Sequence, residues 1–312
     1  MSFLNFIFTS VAFGMTFLFG CTGEIITEKA GHLNLGIPGV MCIGGATGCL
    51  ALALCRPIGI FAVPIAILAA FIGGVIMGGI YGFLTVTLKA NQNVTGLAMT
   101  IFGAGATKYI MLNMTQKQMN YLYATSFFRL PIKNSDLRYW GVMFYLAIAV
   151  AIITSYVLNH TRVGLHLRSI GENPATADAV GINVTAYKYG ATCIGSGIAA
   201  LGGLYFIMVY MGSQEAYKTV ESLGWLSVAL VIFTLWKPNV SIIGSMIFGM
   251  LYLLGTKIPT LFDIKFDLSV TPLLEMLPYV VTILVLIITS IGKKRENQPP
   301  ASLGLPYFRE ER

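Results

Sequence analysis

Residues 58–88 read IGIFAVPIAILAAFIGGVIMGGIYGFLTVTL, with no Asp, Glu, Lys or Arg. A helix that crosses the hydrocarbon core of a bilayer needs about 20 apolar residues. This stretch exceeds that, so it must tilt, kink or break to fit. Pro64 is a natural place for a break. The stretch also places Gly74, Gly78 and Gly82 four apart, with Gly73 and Gly79 beside them. Glycines at that spacing share one helix face and let two backbones approach closely. Gly44 and Gly48 repeat the spacing. Such stripes pack helices within one chain or across a dimer seam.

Working outward, apolar segments recur at roughly 5–23, 39–56, 94–113, 140–159, 186–212, 223–236, 242–256 and 273–292. The segments at 223–236 and 242–256 are short. They read as tilted half-helices or as one unit interrupted around Lys237-Pro238. Composition agrees with a membrane chain. Of 312 residues, 56% are hydrophobic and 11% charged, with a mean hydropathy of +0.76; a soluble domain carries roughly 25% charge. The fold class read from this is all-α: a polytopic membrane protein of about nine transmembrane helices, some short or broken. A soluble enzyme, a disordered chain and a nucleic-acid-binding domain are excluded. The net charge of +7 is spread thinly, as expected for basic residues at the lipid–water border. Residues 1–292 form the membrane domain and 293–312 a polar tail.

The residues required for familiar chemistry are missing. No G-x-x-x-x-G-K-[ST] occurs; Gly292-Lys293 is the only Gly-Lys, and Ile287 stands where the first glycine belongs. The chain is therefore not expected to hydrolyse a nucleotide. There is no G-x-S-x-G, no H-E-x-x-H and no expected acid pair inside a span, so no catalytic residue is assigned. Cys21, Cys42, Cys49, Cys55 and Cys193 form no CxxC pair and read as small packing residues. His32, His160 and His166 lack ligand-spaced partners, so no metal site is expected. Secondary carriers place ionisable relays mid-span; here the expected spans hold little beyond Lys108 and Glu275. Met1–Thr9 has no basic n-region, and Phe19 spoils Leu18-Phe19-Gly20-Cys21 as a lipoprotein cleavage site, so the first segment is expected to be a retained helix. What emerges is a pore-forming chain whose energy comes from elsewhere.

The connection at 160–185, HTRVGLHLRSIGENPATADAVGINVT, is the place to look for that energy. Asn173 suits a helix N-cap, because its side chain accepts a free backbone N–H. Pro174 fits the first helical position. A short helix over Ala175–Val180 follows, and Gly181 ends it. A compact helix with small side chains fits a groove on a partner, or serves as a solvated connector.

Here the sequence resembles a known family. Gly171-Glu172-Asn173-Pro174, Ala177 and Gly181-Ile182-Asn183-Val184 resemble the coupling loop of permease subunits in bacterial ABC importers of ribose-type sugars, nucleosides and branched-chain amino acids. Glu28-Lys29-Ala30-Gly31-His32-Leu33-Asn34-Leu35-Gly36-Ile37-Pro38-Gly39 is similar to that family's E-K-x-G-x-x-N-L-G-I-E-G signature, departing at Pro38. Ala90-Asn91-Gln92-Asn93-Val94-Thr95-Gly96-Leu97-Ala98 and Pro300–Arg312 look like the nucleoside branch.

The resemblance implies an importer permease fold and a non-enzymatic transport subunit in a bacterial cytoplasmic membrane, with its C-terminus in the cytoplasm. It implies a cytoplasmic ABC ATPase, a second and related permease subunit, an extracytoplasmic substrate-binding lipoprotein and a nucleoside cargo. It implies no cofactor in this chain, since ATP and Mg belong to the ATPase, and no nucleic acid. Ribose-type sugars or branched-chain amino acids are the alternative cargo; a self-sufficient channel or secondary carrier is the distant one. By resemblance, Gly171, Glu172, Asn173, Pro174, Ala177, Gly181 and Ile182 would couple to the ATPase. Asn34, Gly36 and Gly39 would shape the translocation path, the glycines by allowing an unusual turn. Asn91, Gln92, Asn93 and Thr95 would line it, or else cap the fourth span. Phe102, Trp225, Phe233 and Trp236 could stack on a base or face lipid. On nine spans, Arg56, Arg129, Lys133, Arg138 and Lys218 lie on the far side, where they could meet acidic lobes of a delivery protein.

Overall fold

Hydropathy falls at Glu24, yet the first helix, α1, runs on from Phe3 to Lys29. It continues because Glu24 and Glu28 are buried against donors brought from other elements. The helix thus outruns the expected 5–23 segment, and it carries an acid pair where none was expected within a span. The computed structural model describes residues 3–115, 118, 139–262, 273, 276–292 and 298–308. Helices α2 (Ile37–Leu54), α3 (Ala62–Gly82), α4 (Gln92–Leu112) and α5 (Val142–His160) follow α1. Two short helices come next, α6 (Arg162–Glu172) and α7 (Pro174–Ala179). Then come α8 (Val184–Leu204), α9 (Tyr217–Phe233), α10 (Pro238–Phe262) and α11 (Leu277–Gly292). Among the described residues there is no strand.

Each expected apolar segment has its helix, and the breaks fall at identifiable residues. The long 58–88 stretch is divided not at Pro64 but upstream. A 3₁₀ turn, Arg56–Phe61, contains Gly59 at φ +64. Pro64 then sits in the first turn of α3, where its missing N–H costs nothing. The far end of α3 loosens into a π turn, Phe83–Thr87. Residues 223–256 are two complete helices; Leu235 and Trp236 adopt left-handed φ of 54° and 56° between them, and Pro238 opens α10. Among the described residues, six helices are long and apolar enough to cross a membrane, and Pro238–Leu254 is a shorter apolar one. Helix α4 misses that class through polarity rather than length.

Helix α8 is the central element, packed against α1, α2 and α3. The glycine stripes exist for this packing. A Cβ on Gly74 would lie 2.4 Å from the Ser196 carbonyl oxygen, and one on Gly78 would lie 2.4 Å from that of Thr192. A Cβ on Gly44 would lie 2.2 Å from the Ala200 carbonyl oxygen, and one on Gly203 would lie 1.8 Å from that of Met41. Both stripes therefore serve intrachain contacts. In lipid, association of helices rests on close packing rather than on exclusion of water, so backbone approach at these positions is what holds the bundle. Cys21, Cys42 and Cys49 are buried free thiols in it.

Successive spans return the chain alternately to two ends. At one end the 30–36, 88–91, 161–183 and 235–237 connections converge with residues 298–308. The α2–α3 turn and Lys218 belong to the other end.

Candidate functional site

The converging end is built around α6 and α7. Thr161 has extended backbone and caps α6, its Oγ1 accepting from the Gly164 N–H at 3.2 Å. Gly164 allows the tight return, because a Cβ there would lie 2.2 Å from the Val157 carbonyl oxygen. Asn173 ends α6 and starts α7, its Oδ1 accepting from the Thr176 N–H at 3.1 Å. Pro174 takes the first position of α7. Gly181 reverses the chain at φ +85, and Asn183 caps α8 by accepting from the Ala186 N–H at 3.0 Å. Ala177 is buried with Ile170 and Val184, flanked by Ile182, Tyr187 and Tyr307. It shapes the segment from inside. The outward face carries Glu172, Asn173, Thr176, Ala179 and Val180. Val180 is 72% exposed.

The C-terminal segment straps this unit to the rest. The Ser302 N–H and Oγ both donate to the Gly171 carbonyl, at 2.9 and 2.6 Å. The Gly304 N–H reaches the Gly31 carbonyl at 3.3 Å, and the Tyr307 hydroxyl donates to Asp178 Oδ2 at 2.9 Å. A Cβ on Gly31 (φ +80) would collide with Ser302 Oγ. Two backbone hydrogen bonds thus tie the tail to α6 and to the α1–α2 loop.

A family model described as "Branched-chain amino acid transport system / permease component" matches residues 6–288. The chain belongs to that permease family. Among its relatives, the nucleoside ABC transporter permease protein NupC of Lactococcus lactis subsp. cremoris is 30% identical over 282 residues, 86% of this chain and 87% of its own. The guanosine ABC transporter permease protein NupQ of Bacillus subtilis is 28% identical over 303 residues, 93% and 92% of the two chains. TsgC13 of Haloferax volcanii, provisionally named a glucose ABC transporter permease protein, is 30% identical over 237 residues, 73% and 70% of the two chains. No solved structure matches the permease.

The early signature of the permease is a clamp. The Asn34 N–H donates to Glu24 Oε1 at 2.9 Å, and Asn34 Oδ1 accepts from the Gly36 N–H at 3.0 Å. Gln92 Oε1 accepts from the Leu33 N–H at 2.8 Å, Tyr81 donates to the Leu33 carbonyl at 2.7 Å, and Thr100 donates to that of Leu35 at 2.8 Å. Asn34 and Gln92 are buried, and so is Thr95. Gly36 has φ −83 and Gly39 lies inside α2, so neither makes the unusual turn expected of it. Their glycine identity serves contact with α4: a Cβ on Gly39 would lie 2.4 Å from the Met99 carbonyl oxygen. Asn91 caps α4 by accepting from the Val94 N–H at 3.1 Å, while Asn93 points outward.

At the other end, Lys218 is exposed and ion-paired with Glu215, an arrangement that contributes little by itself. Arg56 opens the 3₁₀ turn; Arg129, Lys133 and Arg138 lie outside the described residues. Among the proposed stacking aromatics, Phe102 is exposed and Trp225 half-buried, and Phe233 packs on Phe248. Trp236 is buried and donates its indole N–H to Glu28 Oε2.

Sequence reasoning missed Glu24, Glu28 and Trp236 as a unit. Their donors sit 10 and 208 residues away in the chain, beyond any local pattern. Trp236→Phe removes the indole donor and leaves Glu28 buried without it. It should cost about 1–3 kcal/mol, seen as a lowered Tm in detergent. Glu28→Gln keeps an acceptor and should cost less.

His32 gives a pH signature. Burial, with the nearby Lys188 as the smaller cause, pushes its pKa down to about 3. The unfolded imidazole protonates near pH 6.5, so the unfolded chain takes up the proton first. Stability is fully present above about pH 6.5 and is lost as pH falls from there toward about 3. Melting curves in phosphate-free buffer should show a smaller acid loss for His32→Asn than for wild type.

Proposed function

We propose that this permease is the membrane subunit of an ATP-driven importer of nucleosides. An ABC ATPase engages the outward face of α6–α7, a binding protein delivers the nucleoside at the other end, and a second, related permease completes the pore. The chain holds no cofactor; ATP and Mg serve the ATPase. The setting is a bacterial cytoplasmic membrane, with the α6–α7 end and the tail in the cytoplasm.

The observation that carries the nucleoside reading is the likeness to NupC and NupQ along most of both chains. The exposed outward face of α6–α7 supports ATPase coupling, since a segment joined to α5 and α8 can pass a partner's motion to two spans. Helix α4 supports the location of the path. Its free face is mostly apolar, with Val94, Leu97, Ile101, Phe102 and Leu112 exposed, but it also carries Asn93, Lys108 and Gly105, where a built Cβ meets nothing within 4 Å among the described residues. Lys108 stands one turn from the end of α4, where its ammonium can reach water at the membrane border or a subunit seam.

Cells lacking the gene should regain radiolabelled guanosine uptake when complemented with the wild-type chain. Unlabelled nucleosides should compete and glucose or leucine should not. A sugar reading rests on TsgC13, and competition by glucose with no guanosine uptake would establish it instead.

A further inference from the structure

A cavity of about 330 Å³ opens where α3, the end of α7, the start of α8 and the tail meet. Its lining is basic. Lys188 is 97% buried by its neighbours, being 3% exposed, and among the described residues no carboxylate pairs with it. Lys89, half-buried and at the edge of the π turn, faces the same cavity with its ammonium over the Phe308 ring. His32 is 1% exposed, and among the described residues its Nδ1 has no hydrogen-bond partner. The cavity also receives Val184 and Thr185 at the N-terminus of α8. Their amides precede the first intrahelical acceptors and point out of the helix. One carboxylate, Asp178, lies on the wall, and its Oδ2 is engaged by Tyr307.

A buried ammonium without a counter-charge is costly. Two ammoniums set beside free amides at a helix N-terminus favour a bound anion. The space is too large for a monatomic ion, and two cations match a group with several charged oxygens. We propose that this cavity binds a phosphoryl group, carried either by an anionic lipid or by a soluble phosphate compound. The bound group would bridge α3, the α7–α8 turn and the tail, the parts that hold the coupling segment in place.

The test uses the full chain purified in uncharged detergent. One arm follows the Tm against inorganic phosphate, with chloride matched for ionic strength. The other uses native mass spectrometry to count lipids retained from vesicles of phosphatidylglycerol or of phosphatidylcholine. Wild type should show a saturable rise with phosphate, or one phosphatidylglycerol per chain, or both. The first alone identifies a soluble ligand and the second alone a lipid. Lys188→Met should weaken either signal about tenfold or more, and Lys89→Gln should weaken it less. Should Lys188→Met fail to fold, Lys89→Gln carries the comparison. Failure of wild type to respond to either probe, or equal responses from wild type and the folded lysine variants, overturns the site. None of these outcomes depends on nucleoside transport.

Discussion

Val180→Arg should abolish nucleoside uptake while leaving the chain at wild-type levels in the membrane. Val180 is 72% exposed at the end of α7, and its side chain supports nothing inside the permease. A cation at a helix C-terminus agrees with the helix dipole, and an exposed substitution of this kind changes stability by about 0.5 kcal/mol at most. In a docked ATPase groove the same side chain buries an unpaired charge, which costs about 2–5 kcal/mol. That corresponds to a fall in productive complex of about thirtyfold or more. Gly181 is a poorer place for this experiment. Its φ of +85 strains any side chain, so a bulky residue there mixes local misfolding with blocked docking. Uptake assayed in cells, with membrane levels measured in parallel, separates the two. Full uptake by Val180→Arg would exclude α7 from the coupling surface.

Gly203→Val should remove the chain from the membrane altogether. Its Cβ would stand 1.8 Å from the Met41 carbonyl oxygen, with the Gly45 nitrogen 3.2 Å away. Backbone on α2 cannot step aside as a flexible side chain can. Overpacking a well-filled interior costs about 1–3 kcal/mol even when side chains yield, and here α2 and α8 must separate along their length. The control is Gly190→Ala on the same helix, where a built Cβ meets nothing within 4 Å. It should fold as well as wild type or up to about 1 kcal/mol better, through helix propensity. Membrane levels and Tm of the two variants decide the matter. Normal levels of Gly203→Val would refute the close α2–α8 seam.

The contrast between these glycines bears on what can be read in advance. The four-residue glycine stripe at 74, 78 and 82 is a local pattern, and its helical reading holds. The Asn173-Pro174 start of α7 and its Gly181 stop were equally plain, because capping depends on residues within one turn. Helix α6 reads as loop by hydropathy, although Thr161 caps it in the same manner as Asn173 caps α7. Hydropathy ended α1 before Glu24, since nothing nearby shows that Asn34 and Trp236 bring donors to its two carboxylates. Asn34 and Gln92 are path residues by resemblance; what no local pattern shows is that both also hydrogen-bond within the α1–α2 clamp. Polarity within a span marks a partner, and only the fold tells whether that partner is the chain itself.

The most direct measurement is a cross-link. A cysteine-free chain carrying Val180→Cys, and a second carrying Val142→Cys at the opposite end of α5, would be treated in native membranes with a short thiol-to-amine linker. Val142 is the first residue of α5 and is 70% exposed on the isolated chain. Coupling through α6–α7 predicts an adduct between position 180 and an ABC ATPase, identified by mass spectrometry, with none from position 142. A transport-competent Val180→Cys chain that forms no ATPase adduct, or an equal adduct from both positions, would contradict ATP-driven import through this segment.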